Sequence, residues 1–276
     1  MGTERTLDKL KELMVIVIST PVKAGAIHRL KIDPSFESRL AEAVVTFKYI
    51  EEAFERGRGL ARGSLDSHTL GLGALFGRAV RDAFEFTGRK PLVGLVYASL
   101  SLAVVAGYAD VTGRGVLEEA GRIVRTVLYG NEPEDTVALV EGLEAVGASD
   151  YLLKLEKSNI TKRSVRLNML PIGDLAEKLQ EVDEGFSYNI RGMTKIRDLY
   201  SGLHGIRNLA EAIIKTYYRI GVARGLFTKN VPEDRIFSYM VKVEKEGRLR
   251  EEGNRLLGGV YLPVGFRHLE AGLVLP

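Results

Sequence analysis

The chain has no cysteine, no tryptophan and only four histidines among its 276 residues. The lack of cysteine excludes disulfides, zinc–thiolate sites, iron–sulfur clusters and a cysteine nucleophile. An excess of one charge sign is missing too: 39 Lys and Arg stand against 36 Asp and Glu, a formal net charge of +3. That balance gives nucleic-acid binding no support. Glu4, Arg5, Asp8, Lys9 and Lys11 open the chain with charge and no signal-peptide cleavage pattern follows, so the expectation is a cytoplasmic protein. Long uncharged runs are absent apart from one, Leu92 to Ala109, whose length touches the transmembrane threshold. It is a single run, it contains Gly94, Ser99, Ser101 and Gly107, and its neighbours are amphipathic. The expectation is therefore a helix buried on all sides, with no membrane partner.

What is present is an ordinary globular composition, 45% hydrophobic and 27% charged, long enough for one extensive core. The dominant period is helical. Asp33 suits a helix cap and Pro34 a first helical position, and Phe36, Leu40, Ala43/Val44, Phe47, Ile50 and Phe54 form one apolar stripe, with Gly57 placed to end the helix. Leu7, Leu10, Leu13, Met14 and Val17 predict a helix ending near Pro21. Further helices are expected around 69–87, 115–129, 132–147, 172–190, 194–224, 233–256 and 264–275. Residues 148–171, with Lys154, Lys157, Lys162, Arg163 and Arg166, read as an irregular basic stretch, a solvated loop face in preference to a partner surface. No Asn-Gly hairpin and no strand–helix alternation is found, and no linker divides the chain. The prediction is a single all-α domain over 1–276, a helical bundle around a central apolar helix at about 92–109.

Several motifs can be set aside. Gly71, Gly73 and Gly77 follow no predicted strand, so neither a dinucleotide fingerprint nor a P-loop is supported. His28, His68, His204 and His268 show no metal spacing, and no local motif marks a Ser-His-Asp triad. One loop stands out. Ser19 to Arg29 gathers two hydroxyls with Lys23, His28 and Arg29 around Gly25, which are the groups that hold phosphate: cations, hydroxyl donors and a backbone open to close approach. The plainer reading is a basic loop exposed at a helix end. The unperturbed imidazole pKa lies near neutrality, which makes His28 a candidate acid or base, with no acidic partner assignable from the sequence.

This loop resembles the Ser/Thr-Pro-Lys-Pro-Gly-Asn-Val signature of the triphosphoribosyl-dephospho-CoA synthase family, and especially its archaeal relatives. Lys23, Gly25 and Ile27 fit that pattern and His28-Arg29 resembles the pair that follows it, whereas Val22, Ala24 and Ala26 stand where the family has its prolines and asparagine. The order of later landmarks is similar: Phe36-Glu37 and Leu40-Ala41 on the next helix, Gly94 at the start of the apolar helix, Asp135-Thr136-Val137, and a final helix after Pro263-Val264-Gly265. The polar positions diverge. Ser38 and Glu42 replace a His and a Ser, Lys90 and Pro91 replace the Asn-Thr of Asn-Thr-x-x-Gly, and His268 falls where the last motif has aspartate. Asp183 fits an acidic family position without the partners expected just after it.

The resemblance implies an all-helical fold and an ancestral reaction joining dephospho-CoA to the ribose of ATP with release of adenine. It places phosphate contacts at Lys23, Gly25, His28, Arg29, Lys90 and Gly94. Lys90 takes either the charge of a lost cation or an exposed place before Pro91. Asp33 is a candidate magnesium ligand by the resemblance and a helix cap by its place before Pro34. Packing positions persist while site positions are replaced, the pattern of a relative that has abandoned its ancestral chemistry. The expectation is thus a protein that binds a phosphorylated small molecule or nucleotide, with the ancestral transfer weak or lost. ATP and Mg2+ are implied only if that activity is retained. The alternatives are an active transferase, or a non-catalytic protein pairing with an intact paralogue or with itself as a homo-oligomer.

Overall fold

A computed structural model describes residues 3–21, 23–29, 35–247, 249 and 252–274. The first part of the chain forms α1 (Thr3–Ser19), α2 (Ser35–Arg62), α3 (Leu72–Thr87), α4 (Val93–Thr112) and α5 (Val116–Ile123), the last running into a π turn at Val124–Leu128. Next come α6 (Pro133–Ala145), α7 (Ser149–Lys157), α8 (Lys162–Asn168) and α9 (Ile172–Leu179). The order closes with α10 (Gly192–Ser201), α11 (Leu209–Ala223), α12 (Ile236–Glu246) and α13 (Leu257–Ala271). Short 3-10 turns lie at Glu184–Ser187, Glu233–Arg235 and Glu252–Leu256. Helix makes up 74% of this single-domain bundle and no strand occurs among the described residues, as the periodicity predicts.

Helix α4 is the axis of the bundle. Its mean hydropathy of 1.5 would suit a membrane span, yet 89% of the apolar window is buried inside the protein. It is covered by α2 on one side and α13 on another, with α1, α3 and α5 completing the surround. Two crossings are made so close by glycine that no side chain fits. A Cβ on Gly57 of α2 would overlap Val104 O, and a Cβ on Gly107 of α4 would overlap Phe54 O. Gly57 therefore does not end α2, which continues to Arg62; tertiary contact overrides the local stop signal. At the start of α4, Gly94, Gly185 and Gly258 of α13 pack backbone to backbone in the same way.

Several helices begin without a cap of their own and borrow one from elsewhere. The residues preceding α3, α4 and α5 (Gly71, Leu92 and Gly115) supply no side-chain cap. Asp135 Oδ1 accepts Ala74 N–H at 2.8 Å on α3, and Glu270 Oε1 accepts Leu117 N–H at 2.8 Å on α5. These carboxylates satisfy donors that helix geometry leaves unpaired and sit at the positive end of the helix dipole.

Three sequence expectations change. Residues 148–171 hold two helices, α7 and α8, and three of their five lysines and arginines are tied to the protein's own acids, Lys154 to Glu181, Lys162 to Glu144 at 2.8 Å and Arg166 to Glu134 at 3.2 Å. The stretches 172–190, 194–224 and 233–256 each break, the second at Gly202 and Gly205, where Gly205 has φ +82. Helix α13 starts at Leu257, with Pro263 inside it rather than in a turn before it. Proline there removes one backbone hydrogen bond, but burial of Val260, Tyr261, Leu262, Val264 and Phe266 holds the helix through it.

Candidate functional site

The site forms where α4 begins. Arg39 projects from the second turn of α2, and Arg89, Lys90, Pro91 and Leu92 form the connection from α3 to α4. Tyr151 comes from α7, Asp183 from the start of a 3-10 turn, and Asn254 and Arg255 from the turn before α13. Together they line a cleft of about 280 Å3.

Its floor holds two buried carboxylates that cap α4 from outside. Glu42, 1% exposed, accepts Leu92 N–H at 2.5 Å on Oε1 and Arg39 Nη1 at 2.9 Å on Oε2. Arg39 Nη1 also donates to Lys90 O at 2.7 Å, which fixes the connection. Asp183 accepts Tyr151 OH at 2.7 Å on Oδ2 and Gly185 N–H at 2.8 Å on Oδ1, and it also takes the Gly94 N–H. Gly94 is obligatory here because a Cβ would overlap the Asp183 carboxylate. Burial pushes both acids up, Glu42 against the opposing pull of Arg39, and Asp183 to about 6. The rim is cationic. Arg255 pairs with Asp150, whereas the side chains of Arg89 and Lys90 have no carboxylate partner among the described residues.

The six predicted contact residues separate into three places. Lys90 and Gly94 meet in the cleft. Lys23 is fully buried, and its Nζ donates to Ile18 O at 3.4 Å and to Thr20 O, closing the C-terminal end of α1. Burial lowers its pKa to about 7, against a smaller upward pull from Glu244. The expected phosphate contact through Lys23 is thus corrected: its amine faces the interior carbonyls. Gly25 (φ +74) takes a conformation suited to glycine, but its N–H donates to Glu244 Oε2 at 2.7 Å and offers nothing to a ligand. His28 is buried with Nε2 3.7 Å from Glu244 Oε1, the acidic partner the sequence left unassigned. Loop and cleft still adjoin, since Ile27 N–H donates to Asn254 Oδ1 at 2.9 Å. Arg29 is exposed on the opposite side of the loop, beside α1. Asp33 lies outside the described residues.

Arg39, Tyr151, Asn254 and Arg255 were not legible as site residues. Glu42 gave one signal: it lies on the face that also carries the buried Thr46, Tyr49 and Ala53 at helical spacing, and a carboxylate on a buried face calls for a partner. The residues do not fit magnesium. No group of three or more His, Asp or Glu side chains converges among the described residues, and the oxygens of Glu42 and Asp183 already face N–H and O–H donors. The cationic rim does fit a phosphate. Comparison with protein-family models, with curated proteins and with solved structures finds no match for the chain.

Proposed function

We propose that this protein binds a phosphorylated small molecule or nucleotide in the cleft at the start of α4, and that the transfer of dephospho-CoA to ATP ribose is weak or absent. The observation that carries the reading is the pair Arg89 and Lys90, two cations without carboxylate partners among the described residues, set over a cleft also lined by Arg39 and Arg255. A guanidinium fork and a point charge together match the oxygens of a phosphoryl group. The place coincides with the Lys90–Gly94 frame that the resemblance assigns to phosphate. The floor supports the loss of transfer: Glu42 and Asp183 are engaged as helix caps, and a carboxylate so engaged is a poor group to gather a divalent ion and stabilise a transferring group. A cytoplasmic location goes with this reading.

Calorimetric titration of pyrophosphate and of ATP into wild type and an Arg89→Ala/Lys90→Ala variant tests it. Each lost charge-assisted contact is expected to cost about 1.5–3 kcal/mol, roughly tenfold or more, so the double variant binds on the order of a hundredfold more weakly or worse. Equal affinities would remove the cleft as the site, and robust adenine release from ATP dependent on dephospho-CoA would overturn the loss of transfer.

The floor adds a pH dependence. Asp183 carries its charge above about 6 and loses it below, so anion affinity is expected to rise as pH falls through 6. Asp183→Asn keeps an acceptor for the Gly185 and Gly94 N–H groups and should flatten that rise; an unchanged profile in the variant would assign the dependence elsewhere.

A further inference from the structure

A second cavity lies on the other side of the 23–29 loop, away from the cleft. It has a volume of about 550 Å3 and runs along α1. Its middle is apolar: Val15 and Ile16 from α1, Phe47 from α2 and Pro21 beyond the end of α1, all partly open to solvent, while Lys11, paired with Glu51, and Glu12 border it one turn earlier on α1. Ser19 and Arg29 line it at the end of α1; Arg29 is exposed and has no carboxylate partner among the described residues.

That end would ordinarily repel an anion, because a helix C-terminus presents bare carbonyls. Here the carbonyls of Ile16, Ile18, Ser19 and Thr20 are occupied. Ile16 O accepts Thr20 N–H at 2.8 Å and the Thr20 hydroxyl at 2.6 Å, and Ser19 O accepts Arg29 N–H at 3.3 Å. Ile18 O and Thr20 O accept the buried Lys23 amine. An acid group arriving at Arg29 therefore meets a guanidinium, with those carbonyls turned to other donors.

We propose that this groove is a binding site for a single-chain amphiphilic carboxylate, with its acid group on Arg29 and its alkyl chain lying along Val15, Ile16 and Phe47. An apolar stretch with a guanidinium at one end, bordered at the other by Glu12 and the Lys11–Glu51 pair, matches a ligand that is itself apolar with its charged group at the Arg29 end. A phosphate ester of a polar body would leave the trough unfilled. The assignment is independent of the ligand in the cleft.

The test is a calorimetric series of straight-chain carboxylates from hexanoate to dodecanoate, kept below micelle-forming concentrations. Affinity is expected to rise roughly threefold to fourfold per added methylene, the increment for burying one. Arg29→Gln should weaken decanoate by about tenfold or more while leaving decanol unchanged, since only the acid uses the guanidinium. Ala210→Phe, which fills the trough from α11, should abolish both. Arg89→Ala/Lys90→Ala should leave decanoate binding intact, which separates failure of this proposal from failure of the cleft. Affinity independent of chain length, inorganic phosphate binding as tightly as decanoate, or no binding at millimolar carboxylate would each overturn it. Sedimentation with anionic lipid vesicles, lost in Arg29→Gln while soluble carboxylates fail to bind, would overturn it in favour of a lipid surface.

Discussion

Replacing Lys23 with methionine is expected to remove a strong alkaline rise in stability. In the folded chain the buried amine gives up its proton near pH 7, whereas an unfolded lysine holds it to about 10.5. Between those values the unfolded state binds more protons, so stability increases with pH. The contribution is complete above 10.5 and is lost as pH falls through 7. A displacement of that size corresponds to on the order of 5 kcal/mol between the two ends of the window. Methionine keeps most of the stem without the titrating group. It leaves the carbonyls of Ile18 and Thr20 without their amine donor, which offsets the whole curve and does not change its slope. Urea unfolding of wild type and Lys23→Met at pH 6, 8 and 10 reads the difference directly. Wild type should gain on the variant steadily from 7 upward; parallel curves would show that the amine titrates as if exposed.

The second large effect is expected at the crossing of α2 and α4. Gly107→Val places a branched side chain against Phe54 O, where even a Cβ has no room, and α2 must move away along its length. Overpacking of a close-packed core costs about 1–3 kcal/mol in ordinary cases, and displacement of a backbone belongs to the exceptional class above ~4 kcal/mol. For a chain of this size the melting temperature should fall by roughly 10 °C or more. Gly113→Ala is the comparison. That glycine has φ +70 but open space around it, so only conformational strain of about 1 kcal/mol is expected. If the two variants melt alike in calorimetry, close approach of the helices is not what Gly107 provides.

The two glycines also show what a sequence does and does not display. Helix α4 was legible because the eighteen residues from Leu92 to Ala109 carry no charge and can only be covered, and their composition says so locally. Gly57 was misread because a glycine at a helix crossing and a glycine at a helix end are the same letter; the difference lies in Val104, nearly fifty positions away. Lys23 was misread in the same manner. Among Ser, Thr and Arg it looks like a surface cation, and its burial comes from residues around 244 and 249 that fold over the loop. The cleft was half legible. Lys90 and Gly94 are adjacent in sequence to the start of α4, whereas its caps, Glu42 and Asp183, arrive from far upstream and far downstream. A helix capped by its own preceding residue announces its beginning; one capped by a distant carboxylate does not.

Helix α13 lies against α1, α4 and α11, and its Tyr261 hydroxyl donates to Leu10 O at 2.9 Å across 251 positions of sequence. About 145 residues separate the end of α4 from the start of α13. At ribosomal speeds of about 5–20 residues per second, α4 therefore waits roughly 7–30 s for one of its covering helices to be made. During that interval the most apolar segment of the protein has an open flank, and the nascent chain is at its most aggregation-prone. Contacts closed over such separations also slow the search for the native arrangement. The feature that makes the finished core so well enclosed makes its synthesis the hazardous stage, and a chaperone that shields α4 until α13 is synthesised would raise the yield of folded protein.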